Sequence, residues 1–301
     1  MIVILYPQFH AVGGIARYLD AFLANLPPRA PTVVLVTGDS PPAGMPSPSY
    51  TGVELIQLPV PRGRFGLLQW SWRAQQCVAA LQRRRLIGAI NLHLPPLIPA
   101  LLLGLFLSRD VPLVLTAHTT YLGMSGRFDA NRHFKSPWQP LSLWLKLQME
   151  HVIFARADRV ITLTEQGRRE LARYGRTQHI SVVPNGVDLA QFKPDATVEP
   201  DIDVIFSGRI EKRKGSRPLA ALCRQLVAAY PQIRIAIVGY GDDEAHVRHE
   251  LADLNDNVLL TGKVSFGAMV SHYQRSRVYA STSYYEGLPG TCLEAMAMGL
   301  P

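Results

Sequence analysis

The 301-residue chain is 48% apolar and 18% charged, a globular balance that excludes a largely disordered polypeptide; its 23 glycines and 23 prolines follow no period, which excludes a collagen. The net charge of +8 is unevenly spread, with +9 over residues 1–190 and −1 over residues 191–301. At roughly 100–200 residues per domain this predicts two domains, 1–190 and 191–301, the first of which meets something anionic: phosphate, acidic lipid or nucleic acid.

The N-terminal run Ile2–Tyr6 has no basic residues before it and reads as a strand rather than a signal peptide. A loop ending in Gly13-Gly14 follows, and then Ile15, Tyr18, Leu19, Phe22, Leu23 and Leu26 recur at helical spacing. Further apolar runs at Val33–Val36, Val53–Leu58, Gly88–Leu92, Leu113–Ala117, Arg159–Leu163 and Ser181–Val183 predict strands buried on both faces of a parallel sheet. Leu94–Leu107 contains three prolines and is too short for a span of about 20 residues. It reads as a buried helix, with a shallow membrane-contacting helix as the alternative. Cys77, Cys223 and Cys292 are scattered and form no CxxC, which fits a reducing compartment better than a disulfide frame or a zinc site.

Asp188–Asp203, with Pro194 and Pro200, reads as a linker. A second series follows: strands at Val204–Ser207, Ile233–Val238, Val258–Thr261 and Val278–Thr282, and helices over about Ser216–Tyr230, Asp243–Leu254 and Thr291–Met298. Alternation of strand and helix in both halves predicts α/β domains that are doubly wound. The last helix is followed by Gly299 and Pro301, where the next strand is due, so one or two further βα units of roughly 30 residues are expected beyond it.

Open parallel sheets bind ligands beyond the carboxyl ends of their strands, so the strand-to-helix turns are where chemistry is expected. Gly13 and Gly14 open a helix whose free N–H groups favour an anion, although a glycine pair also makes a plain tight turn. Arg209 and Lys214 flank a loop after the strand Val204–Ser207. Two cations there can clamp a diphosphate through charge-assisted hydrogen bonds, and equally the loop can be a solvated basic one. Gly239-Tyr240-Gly241 is a GxG turn without a third glycine. His118 ends the strand Leu113–Ala117 and is followed by Thr119 and Thr120; His93 stands similarly after Gly88–Leu92. In the segment EGLPGTCLE, Glu286 falls in a loop and Glu294 in the first turn of the last helix, with Gly287, Leu288 and Gly290 between them. Thr291-x-x-Glu294 is also a capping box, and on pattern alone the cap outweighs a ligand contact.

Together these turns carry a resemblance. GG in the first loop, LTAHTT, ADRVITLTE before PNGVDLAQFKP, SGRIEKRKG, IVGYGDDE, VLLTGKV and STSYYEGLPGTCLEAMAMGLP resemble the retaining, nucleotide-sugar-dependent glycosyltransferases of family 4, which have the GT-B fold of two Rossmann-like domains facing a cleft. The resemblance implies an N-terminal acceptor-binding domain and a C-terminal donor-binding domain, here incomplete. It implies that Arg209 and Lys214 hold the donor diphosphate, that Glu286 binds the donor sugar's hydroxyls, and that Glu294 binds the ribose. The N–H groups around Gly287, Leu288 and Gly290 help hold the phosphates, Gly13 and Gly14 approach the diphosphate from the other domain, His118 stands near the sugar, and Gly239 and the loop around Lys263 neighbour the base. No cofactor or metal is implied; the UDP- or GDP-linked donor is a substrate, and the departing phosphate itself can take the acceptor's proton.

The acceptor implied is a glycan or a lipid-linked molecule. Arg83-Arg84-Arg85 and residues 127–146, with Trp138 and Trp144, are basic and partly aromatic, which suits peripheral contact with an anionic membrane at its cytoplasmic face and equally a solvated basic surface. Two other readings compete. A sugar-nucleotide epimerase of the same double-Rossmann type would bind the donor and transfer nothing. A non-enzymatic nucleic-acid binder would use the basic half, but no helix-turn-helix, RNP or zinc pattern supports it, so no nucleic-acid partner is expected.

Overall fold

Successive residues of a strand point to opposite faces, so a strand that is apolar throughout feeds two cores at once. The computed structural model of the chain, which describes residues 1–10, 13–41, 48–128, 139–175 and 179–301, is built on this rule. Residues 129–138, with Trp138, lie outside the described residues. The chain divides into two compact units, Met1–Asn185 and Gly186–Pro301.

The first unit runs β1 (Ile2–Leu5), α1 (Gly14–Ala24), β2 (Val33–Thr37), β3 (Val53–Gln57), α2 (Gly66–Arg84), β4 (Ala89–Leu94), α3 (Leu97–Phe106), β5 (Leu113–Ala117), α4 (Tyr121–Phe128), α5 (Gln139–Arg156), β6 (Arg159–Thr162), α6 (Glu165–Ala172) and β7 (Ile180–Val182). Its strands form a seven-stranded parallel sheet in the order β3-β2-β1-β4-β5-β6-β7. Val3 and Leu5 of β1 join the core formed with α2, α3 and α5, while Ile4 joins Leu19 and Leu23 of α1 on the other face. The order reverses between β1 and β4, the point at which an open α/β sheet leaves a crevice.

The second unit runs β8 (Ile202–Ser207), α7 (Ser216–Ala229), β9 (Ile235–Val238), α8 (Glu244–Glu250), β10 (Val258–Gly262), α9 (Phe266–Gln274), β11 (Ser276–Tyr279) and α10 (Gly290–Ala297). Its parallel strands lie in the order β10-β9-β8-β11, with a core on each face. The reversal here falls between β8 and β11, so the loops after these two strands flank the crevice.

Several elements differ from the sequence expectation. The apolar stretch Leu94–Leu107 is buried on one side only: Leu97, Ala100 and Leu103 enter the core, whereas Ile98, Leu105 and Phe106 are exposed. The helix lies in an outer layer, so a uniformly apolar sequence leaves one face uncovered. The helix expected over Asp243–Leu254 breaks after Glu250 into a 3-10 turn at Ala252–Leu254. The expected linker ends earlier, because β8 begins at Ile202 and pairs with β11 and β9.

Candidate active site

In the second unit, β8 ends at Ser207 and the chain turns through Gly208, at φ 135°, into Arg209. A 3-10 turn over Lys212–Lys214 then delivers the chain to Gly215 and α7. Gly215 has φ 75°, and a Cβ there would lie 1.9 Å from the carbonyl oxygen of Thr282 in the loop after β11. Only glycine permits this approach, and it brings the two loops flanking the crevice into contact. The Thr282 hydroxyl adds hydrogen bonds to the carbonyls of Lys214 and Gly215, at 3.2 and 3.0 Å.

The consequence is an ion pair between Lys214 Nζ and Glu286 Oε1, with both side chains about four-fifths buried. Arg209 is half exposed and its guanidinium lies 3.3 Å from Glu211, whose other oxygen takes Arg213 at 2.9 Å. Arg209, Lys214 and Glu286 line one open pocket, together with Ser207, Thr282 and Thr291. Cations and a carboxylate on one wall can bind a diphosphate and the hydroxyl groups of an attached sugar.

Glu294 is buried and is not among the residues that line this pocket. The capping-box reading of Thr291 and Glu294 is not what the structure shows. α10 begins at Gly290 after Pro289, with no side-chain cap; Thr291 Oγ1 bonds the hydroxyl of Tyr279 at 2.9 Å, and Glu294 Oε2 accepts from that of Tyr273 at 3.1 Å. The box fails because Thr291 is already inside the helix, where its own N–H and side chain are turned away from a capping position. Gly287 and Leu288 are half buried, and a Cβ on Gly290 would meet nothing within 4 Å. Gly239, at φ 148°, has a backbone reason of its own: a Cβ there would lie 1.8 Å from the carbonyl oxygen of Gly208. Lys263, exposed after β10, holds its ammonium 5.6 Å from the centre of the Tyr240 ring.

In the first unit, Gly13 and Gly14 stand at the start of α1, and among the described residues no atom lies within 4 Å of a Cβ added to either. His118 follows β5 and is buried; its Nε2 lies 2.9 Å from Nδ1 of His93 on β4, and Tyr18 of α1 meets its ring edge-on at 4.9 Å. Burial drives the pKa of His118 down to about 3 and that of His93 well below the usual imidazole range, the latter also through His118. The pair is therefore neutral at pH 7, one ring donating to the other. The helix that follows His118 is held by Glu150, which is fully buried and accepts from the N–H groups of Tyr121 and Leu122 and from the Tyr174 hydroxyl, at 2.8, 3.1 and 2.8 Å. Burial raises its pKa. Neither Glu150 nor Tyr273 carries a sequence signal: each sits in a helix whose spacing shows only an apolar or mixed face.

Residues 12–191 match the family model Glycosyltransferase Family 4, and residues 189–301 match Glycosyl transferases group 1. The D-inositol 3-phosphate glycosyltransferase of Segniliparus rotundus is 29% identical over 208 residues, covering 64% of this chain and 45% of that protein. The 2-deoxystreptamine N-acetyl-D-glucosaminyltransferase of Streptomyces fradiae is 27% identical, covering 98% of this chain and 75% of that one. The chain spans 43% and 45% of the length of the first curated relatives that it matches. Among solved structures, sucrose-phosphate synthase from Thermosynechococcus elongatus covers 100% of this chain, and 79% of its own, at a TM-score of 0.77 and 21% identity, which shows a shared fold. Neither an epimerase nor a nucleic-acid binder finds support in these matches. With one family model matched over residues 12–191 and its companion over the remainder, the chain belongs to glycosyltransferase family 4.

Proposed function

We propose that the protein transfers a hexosyl group from a UDP- or GDP-linked donor to a glycan or lipid-linked acceptor, with retention of configuration and without a bound metal. The observation that carries this reading is the convergence of Arg209, Lys214 and Glu286 on one pocket at the crevice between β8 and β11. In the reaction the bond from the sugar's anomeric carbon to the phosphate oxygen breaks, and the electron pair leaves with the nucleoside diphosphate. Arg209 and Lys214 stabilise the charge that builds there. Glu286 orients the sugar through its hydroxyls. The acceptor oxygen bonds the anomeric carbon, and its proton passes to the departing phosphate oxygen. Glu294 holds the ribose. Names of relatives favour small hydroxylated rings as acceptors: both an inositol phosphate and 2-deoxystreptamine are of this kind.

The protein works in the cytoplasm, at the inner face of the membrane. In support, α2, α3 and α5 pack side by side and expose Leu68, Trp72, Ile98, Phe106 and Trp144 with Arg73 and Lys146 among them. No described helix is long and apolar enough to cross a membrane, so the contact would be peripheral. Thermal denaturation with UDP, GDP and ADP and their sugars tests the donor reading. One diphosphate and its sugar should raise Tm; a chain that responds to none of them refutes it.

A further inference from the structure

Tyr273 on α9 is fully buried, its ring packed against Phe192 and Tyr279. Its hydroxyl is a junction of three parts of the donor site. It lies 2.6 Å from Ser207 Oγ at the end of β8, 3.1 Å from Glu294 Oε2 and 3.2 Å from the carbonyl oxygen of Thr291, the last two on α10. A phenol has one proton to give and lone pairs to accept with. The carboxylate and the carbonyl are acceptors only, so the phenolic proton points to α10, and the Ser207 hydroxyl donates to the phenol oxygen. Of the two acceptors the carboxylate is the stronger. Neither Tyr273 nor Glu294 is among the residues that line the pocket, whereas Ser207 and Thr291, which share the network, are.

We propose that Tyr273 is the positioning residue of Glu294: it fixes the carboxylate rotamer so that the ribose of the nucleoside diphosphate meets a preset acceptor. The proposal rests on the reading of Glu294 as the ribose-binding group. The specificity it creates is for ribose hydroxyls over their absence, since a site built to hydrogen-bond a hydroxyl rejects the analogue that lacks it.

The test is calorimetric titration of the full chain with UDP, GDP and ADP, followed by the 2′-deoxy and 3′-deoxy forms of whichever binds tightest. The native chain should prefer the ribo form by about tenfold, the worth of a hydrogen bond to a charged group. Tyr273→Phe should cut this preference at least about threefold while the deoxy forms bind within about twofold of native. Glu294→Gln should cut it further, and adding Tyr273→Phe to Glu294→Gln should cost nothing more, since the two residues act as a unit. Glu294→Asp, which keeps the charge but withdraws it from the phenol, should mimic Tyr273→Phe and serves if the phenylalanine variant does not fold. A preference lost in Glu294→Gln but kept in both Tyr273→Phe and Glu294→Asp overturns the positioning role and leaves the ribose reading standing. A preference kept in Glu294→Gln overturns both.

Discussion

Lys214 and Glu286, 72 residues apart in sequence, form a partly buried ion pair because the strands that precede them, β8 and β11, are neighbours in the sheet. An ammonium has three donors, so Lys214 can keep one on Glu286 and turn the others to a diphosphate. Lys214→Ala removes the ion pair and, on the proposed function, a donor to the diphosphate, and should lower transfer by about 10²–10³, the usual cost of one preorganised electrostatic donor. It should also lower Tm, since Glu286 loses its partner in a site about four-fifths buried. Adding Glu286→Gln should restore Tm but not rate. Arg209→Ala, at a half-exposed position, should lose rate with little change in Tm. Initial rates and thermal denaturation separate these outcomes; near-native turnover in Lys214→Ala defeats the diphosphate assignment.

The backbone around the pocket depends on two glycines. Gly215 at φ 75° and Gly239 at φ 148° each face a carbonyl oxygen closer than 2 Å to any added Cβ. Gly215→Ala and Gly239→Ala should each destabilise by at least about 2 kcal/mol, combining left-handed backbone strain with a clash against backbone that cannot give way. Gly290→Ala, in open space at the start of α10, should leave urea denaturation within about 0.5 kcal/mol of native. Equal midpoints for the three variants would contradict this account.

The strands were legible because they are continuous apolar runs bounded by turns. Leu113–Ala117 is read from the sequence with its observed limits, and the other strand limits shift by a few residues at their ends. The place of Arg209, Lys214 and Glu286 in loops after strands was legible because each loop follows such a run; their roles are implied by the resemblance alone. What was not legible is tertiary. No helix was expected over Phe266–Gln274, although Phe266, Met269, Val270 and Tyr273 recur there at helical spacing, and this helix carries Tyr273. Thr291-x-x-Glu294 has the spacing of a capping box but is none, because the start of the helix is set by Pro289 and Thr291 lies within it. The pairing of His93 with His118 depends on β4 lying beside β5, which no local pattern encodes.

That histidine pair makes stability depend on pH. The folded pKa of His118, about 3, lies below the ordinary value of 6.5, so between these limits the unfolded chain binds the proton that the folded chain refuses. Stability is therefore full above about pH 6.5 and falls as pH drops toward 3, with a slope of up to about 1.4 kcal/mol per pH unit for one such group. His93 is shifted in the same direction. Urea denaturation at pH 7 and pH 5 should show the loss, and His118→Gln should flatten the profile across that window. A native profile no steeper than that of the variant would rule the buried pair out as its source.

The outer layer of the first unit should decide membrane contact. None of α2, α3 and α5 exposes an acidic side chain: α2 and α3 contain none, and Glu150, the one acid of α5, is fully buried. Among the residues these helices expose are Arg73, Arg83, Arg84 and Lys146 beside Trp72, Phe106 and Trp144. Each Lys or Arg near an anionic surface contributes about 1 kcal/mol, and indole rings favour the headgroup level. The chain should therefore sediment with vesicles containing phosphatidylglycerol and not with pure phosphatidylcholine. Arg83→Glu with Arg84→Glu should weaken that binding by more than about tenfold, and 0.5 M salt should weaken it as well through screening. Trp72→Ser with Trp144→Ser should reduce it without altering the salt dependence. Equal sedimentation with both lipids, or binding untouched by all four substitutions, would show that this face is a solvated surface.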